Sequence, residues 1–221
     1  AFVGDLSFRD TLGEVAWGGH LASLMGLLIW IPRGKHAHLI AAPLNILFGQ
    51  VDTKSKLDAL KIDLDEMDED DQLGARTVFD LSWKQLLDSF ACTECGRCQD
   101  MCPAYNTGKD LTPKGLNVEI RYELSRVGPL RLSGEVAEGK ELVPELFSED
   151  FLWTCTSCRA CEYECPVGIE HISTIVDMRR HRVMMEAEFP PELTATFNNL
   201  ENNGNPWGMT DRMEWAQGLN V

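Results

Sequence analysis

Basic residues are scarce in this chain: 20 Lys and Arg stand against 35 Asp and Glu among 221 residues, and the formal net charge is −15. A shortage of positive charge argues against nucleic-acid binding, because Lys and Arg hold the phosphate backbone. Part of the acidic excess is local, since seven of the nine residues from Asp63 to Asp71 are acidic. We interpret residues 51–76 as an acidic linker in solvent, with docking of a basic partner as the alternative.

Cysteine is absent from most of the chain, and few segments show the period-two alternation that is typical of strands. All eight cysteines lie in two groups, within residues 92–102 and 155–165. A positively charged leader with a small-residue cleavage site is also lacking, which argues against a signal peptide. The chain begins at Ala1 and has no clear closing element after Asn205-Pro206-Trp207-Gly208, so we expect a segment of a longer polypeptide.

The two cysteine groups are copies of one motif. Both read C-x2-C-x2-C-x3-C-P, and each cysteine of the second group lies 63 positions after its counterpart in the first. Three thiolates at two-residue gaps can surround one face of an iron–sulfur cubane, and the fourth cysteine of each run then binds the other cluster. The spacing predicts two [4Fe-4S] clusters, the first held by Cys92, Cys95, Cys98 and Cys165 and the second by Cys155, Cys158, Cys161 and Cys102. Pro103 and Pro166 turn the chain away after the last ligand of each run.

Zinc and disulfides are the alternatives for these cysteines. Structural zinc uses four ligands in pairs and gives no reason for the third and fourth cysteine of each run. Disulfide frameworks are typical of small secreted chains with scattered cysteines. Arg97 and Arg159 lie inside the runs and could raise the cluster potentials, or they could pair with Glu94 and Glu162.

The segments around the motifs carry helix signals, so we predict a mainly α fold with an α-helical ferredoxin domain at residues 77–189. A βαβ ferredoxin with insertions is the alternative. The first predicted helix begins at a Ser82 capping box and leads into Cys92. Four more helices are predicted, from Thr112 to about Arg126, from Ser148 to Trp153, from Ile169 to Glu188 and from Pro191 to Asn203. His171 and His181 are expected at the surface, and Arg179, Arg180 and Arg182 on an exposed helix face. Residues 190–221 are expected to form a helical connector.

The amino-terminal residues 1–50 differ in character. Residues 16–31 contain no charged side chain, and with their neighbours they reach about 18 positions, the low end for a membrane span. Trp17 and Trp30 near the ends fit aromatic belts, while Arg33 and Lys35 favour the cytoplasm for the following residues. We therefore predict a transmembrane helix in the cytoplasmic membrane with the clusters on the cytoplasmic side. A buried core helix is the alternative. A second apolar stretch, Leu39 to Phe48, is too short to span a membrane, and we expect it to lie along the interface.

Two histidines in this region point to haem. A histidine inside an apolar span suggests a functional site. On one straight helix His20 and His38 are five turns and about 27 Å apart, so they point the same way near opposite faces of the membrane. This geometry suits axial ligands of two b-type haems, although Pro32 could disturb the register. Each haem needs a second ligand from helices outside this chain, and His36 is expected only at the interface.

Two stretches carry a resemblance to known families. Trp17 to Phe48, with His20, Pro32, Lys35, His36, His38 and Ala42-Pro43-Leu44-Asn45, resembles the last transmembrane helix of cytochrome b subunits of the respiratory nitrate reductase type. Leu81 to Lys109 and Phe151 to Gly208 are similar to membrane-bound iron–sulfur oxidoreductases related to heterodisulfide reductase. Among them, the electron-transfer-flavoprotein:quinone oxidoreductase type, which fuses a membrane domain to a ferredoxin domain, fits both ends of the chain.

The resemblance implies that electrons from a soluble flavoprotein dehydrogenase cross the two clusters, reach haem b and leave to a membrane quinone such as menaquinone. No catalytic acid, base or nucleophile is expected, because the cofactors carry the chemistry. The chain differs from this family in one respect. Cysteine-rich domains usually follow the ferredoxin domain in the family, but no cysteine follows Cys165 in this sequence. A heterodisulfide-reductase-type enzyme, a soluble ferredoxin-like adaptor and a protein with purely structural clusters are the rival interpretations.

Overall fold

The computed structural model describes residues 6–49, 57 and 72–209, and this part of the chain is mainly helical. Its α-helices are α1 Leu6–Trp30, α2 His38–Leu47, α3 Trp83–Ala91, α4 Arg97–Asp100, α5 Pro103–Asn106, α6 Pro113–Leu132, α7 Glu149–Thr154, α8 Ala160–Tyr163, α9 His171–Met184 and α10 Thr194–Asn203. Short 3₁₀ turns cover Ile31–Arg33, Lys35–Ala37, Val78–Asp80 and Pro191–Leu193, and a π turn covers Leu142–Leu146. Within the described residues there is no strand, and Thr77 and Glu141 form an isolated antiparallel bridge. The helical prediction is confirmed, and the βαβ alternative is wrong.

Helix α1 is the one described helix that is long and apolar enough to cross a membrane, judged by length and composition. Its candidate span, Arg9–Trp30, has 22 residues, and its most apolar part is not buried by the rest of the described chain. The described residues thus do not bury this helix in a protein core. Its apolar surface requires a covering other than the residues described.

The expectation of one straight helix from His20 to His38 is wrong. Helix α1 ends at Trp30, and two 3₁₀ turns separate it from α2, which begins at His38. Pro32 lies at the start of the first turn, and Gly34 between the turns is extended, with φ −118° and ψ −168°. An extended residue breaks the hydrogen-bond ladder of a helix, so the five-turn register between the two histidines does not hold.

The second apolar stretch, α2, packs against the domain that carries the cysteines. Ala41 and Ala42 are buried in one apolar cluster with Ala91, Cys92 and Ile169. The expectation that this stretch lies only along the membrane interface is incomplete, because one face of α2 is part of the protein core.

Asn45 adds a polar link at the same contact. It is fully buried, and its Nδ2 donates to Asp88 Oδ1 on α3 at 2.8 Å and to the Val167 carbonyl at 3.0 Å. Val167 closely follows the second cysteine run. Helix α2 is therefore joined both to α3 and to the loop after Cys165.

The main core lies between α6, α7 and α9. Its fully buried side chains include Leu116 and Ile120 from α6, Leu152 from α7, and Ile175 and Met178 from α9. Helices α3 and α7 both begin at a serine cap, as the sequence predicts: Ser82 and Gln85 form a capping box, and the Ser148 side chain accepts from the Phe151 N–H. Both helices end immediately before a cysteine run.

Two predicted helix ends are wrong. Helix α6 continues through Gly128 and Pro129 to Leu132. Buried Val127 packs this turn against the core. Pro129 has no N–H to bond the carbonyl of Ser125, and Ser125 is an exposed residue, so this end of the helix lies at the surface. Helix α9 is shorter than predicted and ends at Met184, before the positive φ of 53° at Ala187.

The surface assignment of α9 side chains is also wrong. His171 and His181 are 2% and 5% exposed, and Arg182 is 6% exposed. Arg182 is surrounded by carboxylates, among them Glu149 at 2.5 Å, which satisfy its charge inside the protein. The acidic run 63–71 and the end of the proposed connector, 210–221, lie outside the described residues.

Candidate metal centre

The repeat in sequence is also a repeat in backbone conformation. Helices α4 and α8 begin and end 63 positions apart, and so do the ends of α3 and α7. Between these helices, Glu94 and Ser157 have φ of 57° and 55°, and Gly96 and Arg159 have φ of 88° and 64°. A left-handed residue reverses the chain within the short gaps between cysteines, at a cost for residues other than glycine. Each run therefore forms the same tight loop around its three leading cysteines.

The eight cysteines surround two cavities. The first cavity is lined by Cys92, Cys95, Cys98 and Cys165. The second is lined by Cys102, Cys155, Cys158 and Cys161. The structure thus groups three cysteines of each run with the last cysteine of the other run, which is the grouping that the motif predicts.

Exposure of the thiols follows the repeat as well. Cys95 and Cys158, which are equivalent by the 63-residue offset, are the exposed members of the two sets. The others are partly or fully buried. One edge of each cavity therefore approaches solvent, and the other thiols are more shielded from it.

Burial and crowding oppose ionisation of most thiols. Burial raises the pKa of Cys92, Cys155 and Cys161, and it raises the pKa of Cys98 to about 12. The neighbouring cysteines add to each rise, because thiolates that share a cavity repel one another. Such a set ionises fully only when a metal supplies compensating positive charge.

Hydrogen bonds prepare the sulfur atoms for negative charge. The backbone of Glu94 hydrogen-bonds to the Cys92 sulfur, and the backbone of Ser157, the equivalent residue, hydrogen-bonds to the Cys155 sulfur. Each bond lowers the pKa of its thiol, which opposes the effect of burial. The Ile169 N–H lies 3.4 Å from Cys165 Sγ. Backbone donors of this kind favour the charged form of sulfur and help to set the potential of a cluster.

A buried or half-buried arginine stands beside each cavity. Arg121 of α6 donates to the Cys92 carbonyl at 3.3 Å and pairs with Glu94. Arg179 of α9 donates to the Cys155 carbonyl at 2.6 Å and lies over the Trp153 ring, 5.2 Å from its centroid. Each arginine thus supplies positive charge next to the leading thiol of one run.

Neither arginine is predicted by the motif, because both lie on helices outside the cysteine runs. The arginines that the motif suggests are Arg97 and Arg159. Arg159 pairs with Glu162 at 2.8 Å, as the simpler interpretation expects. Glu94 pairs with Arg121, a partner that the spacing of the motif does not suggest.

His171 is a further residue that the sequence analysis assigned incorrectly. It is the first residue of α9, and it lines both cysteine cavities. Burial lowers its pKa to about 4, and the Ile169 backbone acts in the opposite direction, so the imidazole is neutral at pH 7. No signal in the cysteine motif marks it, because its counterpart 63 positions earlier is Gly108.

The cavities fit iron–sulfur cubanes better than single zinc ions. A cubane places each thiolate on a different iron, so four sulfurs surround a space, whereas zinc draws four ligands to about 2.3 Å from one point. Within residues 6–49, 57 and 72–209 no three His, Cys, Asp or Glu side chains converge in a way that could hold one metal ion. Each cysteine set has the number and the chemistry of the ligands of one cluster.

The proposed haem ligands lie apart from this centre. His20 is exposed on α1, and half-buried His38 begins α2, where its ring lies 6.2 Å from that of His36. The described chain forms no walled pocket around His20, so the residues present do not by themselves make a haem site. A haem there needs walls and ligands from other helices.

Comparison with known proteins agrees with the cysteine centre. The family model described as a 4Fe-4S dicluster domain matches residues 88–169, which include both cysteine runs. Residues 88–169 thus have the sequence features of a 4Fe-4S dicluster domain. No solved structure matches the chain.

The chain is also related to longer iron–sulfur oxidoreductases. It is 35% identical to the probable iron-sulfur-binding oxidoreductase FadF of Bacillus subtilis, over 91% of this chain and 33% of the relative. It is 33% identical to the EtfAB:quinone oxidoreductase of Syntrophomonas wolfei, over 95% of this chain and 32% of the relative. A probable membrane-anchored ferredoxin of Chromohalobacter salexigens is 33% identical, over 94% of this chain and 34% of the relative.

A shorter match reaches another class of enzyme. One component of the ferredoxin:CoB-CoM heterodisulfide reductase of Methanosarcina mazei is 30% identical over 94 residues, which is 42% of this chain and 46% of that component. The chain spans about a third of the length of the longer relatives. Several of these homologues are named as oxidoreductases, and the family model and the cysteines agree with that class.

Proposed function

We propose that this chain is the electron-transfer segment of a membrane-associated oxidoreductase that passes electrons from a soluble flavoprotein to the quinone pool through two [4Fe-4S] clusters. The observation that carries the proposal is the pair of cavities, each lined by four cysteines from both runs. Two such cavities with a residue in common suit two one-electron carriers held side by side. The name of the Syntrophomonas relative supports electron-transfer flavoprotein as the donor and a quinone as the acceptor.

In this proposal the clusters, once bound, would supply one-electron redox chemistry. Cys92, Cys95, Cys98 and Cys165 would hold the first cluster, and Cys155, Cys158, Cys161 and Cys102 the second. The protein's own task is to keep water out and to supply hydrogen bonds and positive charge beside the sulfurs. Arg121 and Arg179 supply that charge in a chain that is otherwise strongly acidic.

The membrane part of the proposal rests on α1 and on the membrane-anchored relative. Helix α1 would cross the cytoplasmic membrane among lipids and further helices of the same complex, with the clusters on the cytoplasmic side. His20 and His38 are proposed as axial ligands of two haems b, each completed by a histidine from those helices. Menaquinone would receive the electrons, and a cysteine-rich domain outside this chain would complete the donor side.

Analysis of the purified protein with its membrane partners tests the cofactor content. The proposal expects eight cluster irons with matching labile sulfide for this segment, and two haems b. Bound zinc without sulfide contradicts the electron-carrier function. Clusters without haem contradict the roles of His20 and His38 and leave the cluster function standing.

A matched pair of variants tests the ligand grouping. Cys165→Ser is expected to disturb the cluster held by Cys92, Cys95 and Cys98. Cys102→Ser is expected to disturb the cluster held by the leading cysteines of the second run. The electron paramagnetic resonance signal of each cluster measures the disturbance. If each variant instead disturbs the cluster of its own run, the proposed exchange of the fourth ligands is wrong.

The heterodisulfide reductase match favours a second function, in which the final acceptor is a disulfide. Reduction of a quinone analogue by the complex in vesicles, driven by reduced flavoprotein, supports the first function. Reduction of a disulfide substrate without quinone reduction supports the second. A protein that leaves the membrane in a salt wash contradicts the role of α1 in both.

A further inference from the structure

The two cysteine sets have different surroundings in the fold. Cys92 and Cys165 of the first set pack with alanines of α2, and α2 follows the candidate membrane helix α1 after two short turns. Cys102 and Cys155 of the second set belong instead to the main apolar core with α6, α7 and α9. The first set is therefore the one that the fold joins to the candidate membrane helix.

The second set reaches solvent at an edge framed by large side chains. Cys158 is exposed, and it lines a surface hollow together with Met101 and Tyr163. Tyr163 is 86% exposed and Met101 is 51% exposed, although both side chains are largely apolar. We call these three residues the Cys158 edge. Tyr and Met are enriched in protein interfaces, and Tyr is frequent among the residues that carry most of the binding energy, so this edge has the composition of an interface.

The 63-residue repeat provides a comparison within the chain. Cys95 is the equivalent of Cys158, and it is exposed as well. The residue equivalent to Tyr163 is Asp100, which is also exposed. Asp is depleted in protein interfaces, and Tyr is enriched. The same loop thus presents an aromatic ring beside the second set and a charged side chain beside the first.

The charges around the Cys158 edge are mainly negative. Arg159, Glu162 and Glu164 line the same hollow. Arg159 pairs with Glu162 at 2.8 Å, so Glu164 leaves this surface with a net negative charge. A partner whose contact surface has an apolar centre and a basic rim complements it.

We propose that the Cys158 edge is the docking surface for the soluble flavoprotein that supplies electrons, so that electrons enter at the second cysteine set and leave from the first. The inference rests on the proposed function and deepens it, because it assigns the donor to one of the two sets. A quinone dissolves in the membrane, and α2 joins the first set to the candidate membrane helix. A soluble donor therefore approaches the second set. In each transfer the reduced flavin loses one electron, and the cluster at the second set gains it.

Binding of the electron-transfer flavoprotein of the same organism to the purified complex in lipid nanodiscs tests the docking surface without turnover. Tyr163→Glu places a charge in the apolar centre and should weaken binding roughly tenfold or more. Tyr163→Phe keeps the ring and should bind as the unaltered complex does. Tyr122→Glu is the matched control, because Tyr122 is also exposed but lies on α6 beside Arg121, which contacts the first set.

Equal affinity of Tyr163→Glu and the unaltered complex overturns the proposal, and so does absence of flavoprotein binding to the unaltered complex. Weaker binding of Tyr122→Glu than of Tyr163→Glu also overturns it, because it places the donor at the first set. Failure of the proposed function is a separate result. A complex without clusters that dithionite can reduce contradicts the electron carrier, whatever the binding measurements show.

Hydrogen exchange of the unaltered complex locates the contact without any substitution. Addition of the flavoprotein should slow the exchange of amides in residues 158–164 and leave those of residues 93–98 unchanged. Protection of residues 93–98 instead overturns the proposal. Full protection of residues 158–164 before the flavoprotein is added also overturns it, because another part of the complex then covers the Cys158 edge.

Discussion

Replacement of Asn45 by leucine should loosen the contact between α2 and the cluster domain. The Asn45 Nδ2 donates to Asp88 Oδ1 at 2.8 Å and to the Val167 carbonyl at 3.0 Å, with the Gly168 carbonyl at 3.5 Å. Leucine has a similar size but no donor. The change therefore removes these bonds and leaves the 2%-exposed Asp88 carboxylate with fewer partners.

The expected cost follows from the groups that lose their partner. A buried acceptor left unpaired costs about 1–3 kcal/mol, with larger values for charged groups. Asp88 keeps its ion pair with Lys84 at 2.7 Å, so the loss at this carboxylate is partial. We expect a loss of about 2 kcal/mol for the α2 contact, which is roughly a 30-fold increase in its local opening.

Native-state hydrogen exchange of the cluster-loaded protein measures this opening. Amides of α2 and of residues 167–169 should exchange faster in Asn45→Leu, while those in the middle of α6 keep their protection. Asn202→Leu is the control, because the Asn202 side chain donates at 2.9 Å to the Asn198 carbonyl on the exposed face of α10. Unchanged exchange of α2 in Asn45→Leu would refute the reasoning that this amide joins α2 to the cluster loop.

Two further changes test side-chain interactions elsewhere in the cluster domain. Arg179→Leu should lower the potential of the cluster next to Cys155 and speed its loss to a chelator, because the guanidinium donates to the Cys155 carbonyl at 2.6 Å; an unchanged potential would contradict this role. Glu123 tests pH dependence, because the hydrogen bond from Arg126 lowers the pKa of its carboxyl below the ordinary 4.5. The ionised carboxylate therefore stabilises the folded protein above pH 4.5, and this stabilisation is lost as the pH falls through the pKa of Glu123 in the folded state. Denaturant titrations should show a smaller loss of unfolding free energy below pH 4.5 in Glu123→Gln than in the unaltered protein, and an equal loss would contradict the assignment.

The sequence predicted the local features well because neighbouring residues decide them. The serine caps of α3 and α7 need only residues within one helical turn, and both are confirmed. The repeated cysteine spacing likewise predicts two equivalent loops. The equivalent residues Glu94 and Ser157 both have positive φ, so the two loops share this backbone conformation. The helical class of the domain follows from the same local signals.

Features that depend on packing were predicted less well. Gly128 and Pro129 resemble a helix end, but burial of Val127 keeps α6 helical beyond them. His171 and His181 were assigned to the surface because a single helix with mixed polarity does not reveal which of its faces meets neighbouring helices. The predicted straight helix from His20 to His38 failed at Pro32 and Gly34, where the chain turns so that α2 can pack on α3.

By itself, the sequence determined the number of thiol ligands, their division into two equal runs and the helices that lead into each run. These properties depend on residue type and on spacing along the chain. The tertiary structure alone decided that Arg121, Arg179 and His171 stand beside the thiols, and that Asn45 ties α2 to the loop after Cys165. Arg121, Arg179 and Asn45 reach their partners across long stretches of chain, through burial of apolar helix faces, and spacing in sequence carries no record of such contacts. His171 follows Cys165 closely, but packing of α9 decides that its side chain faces the cavities.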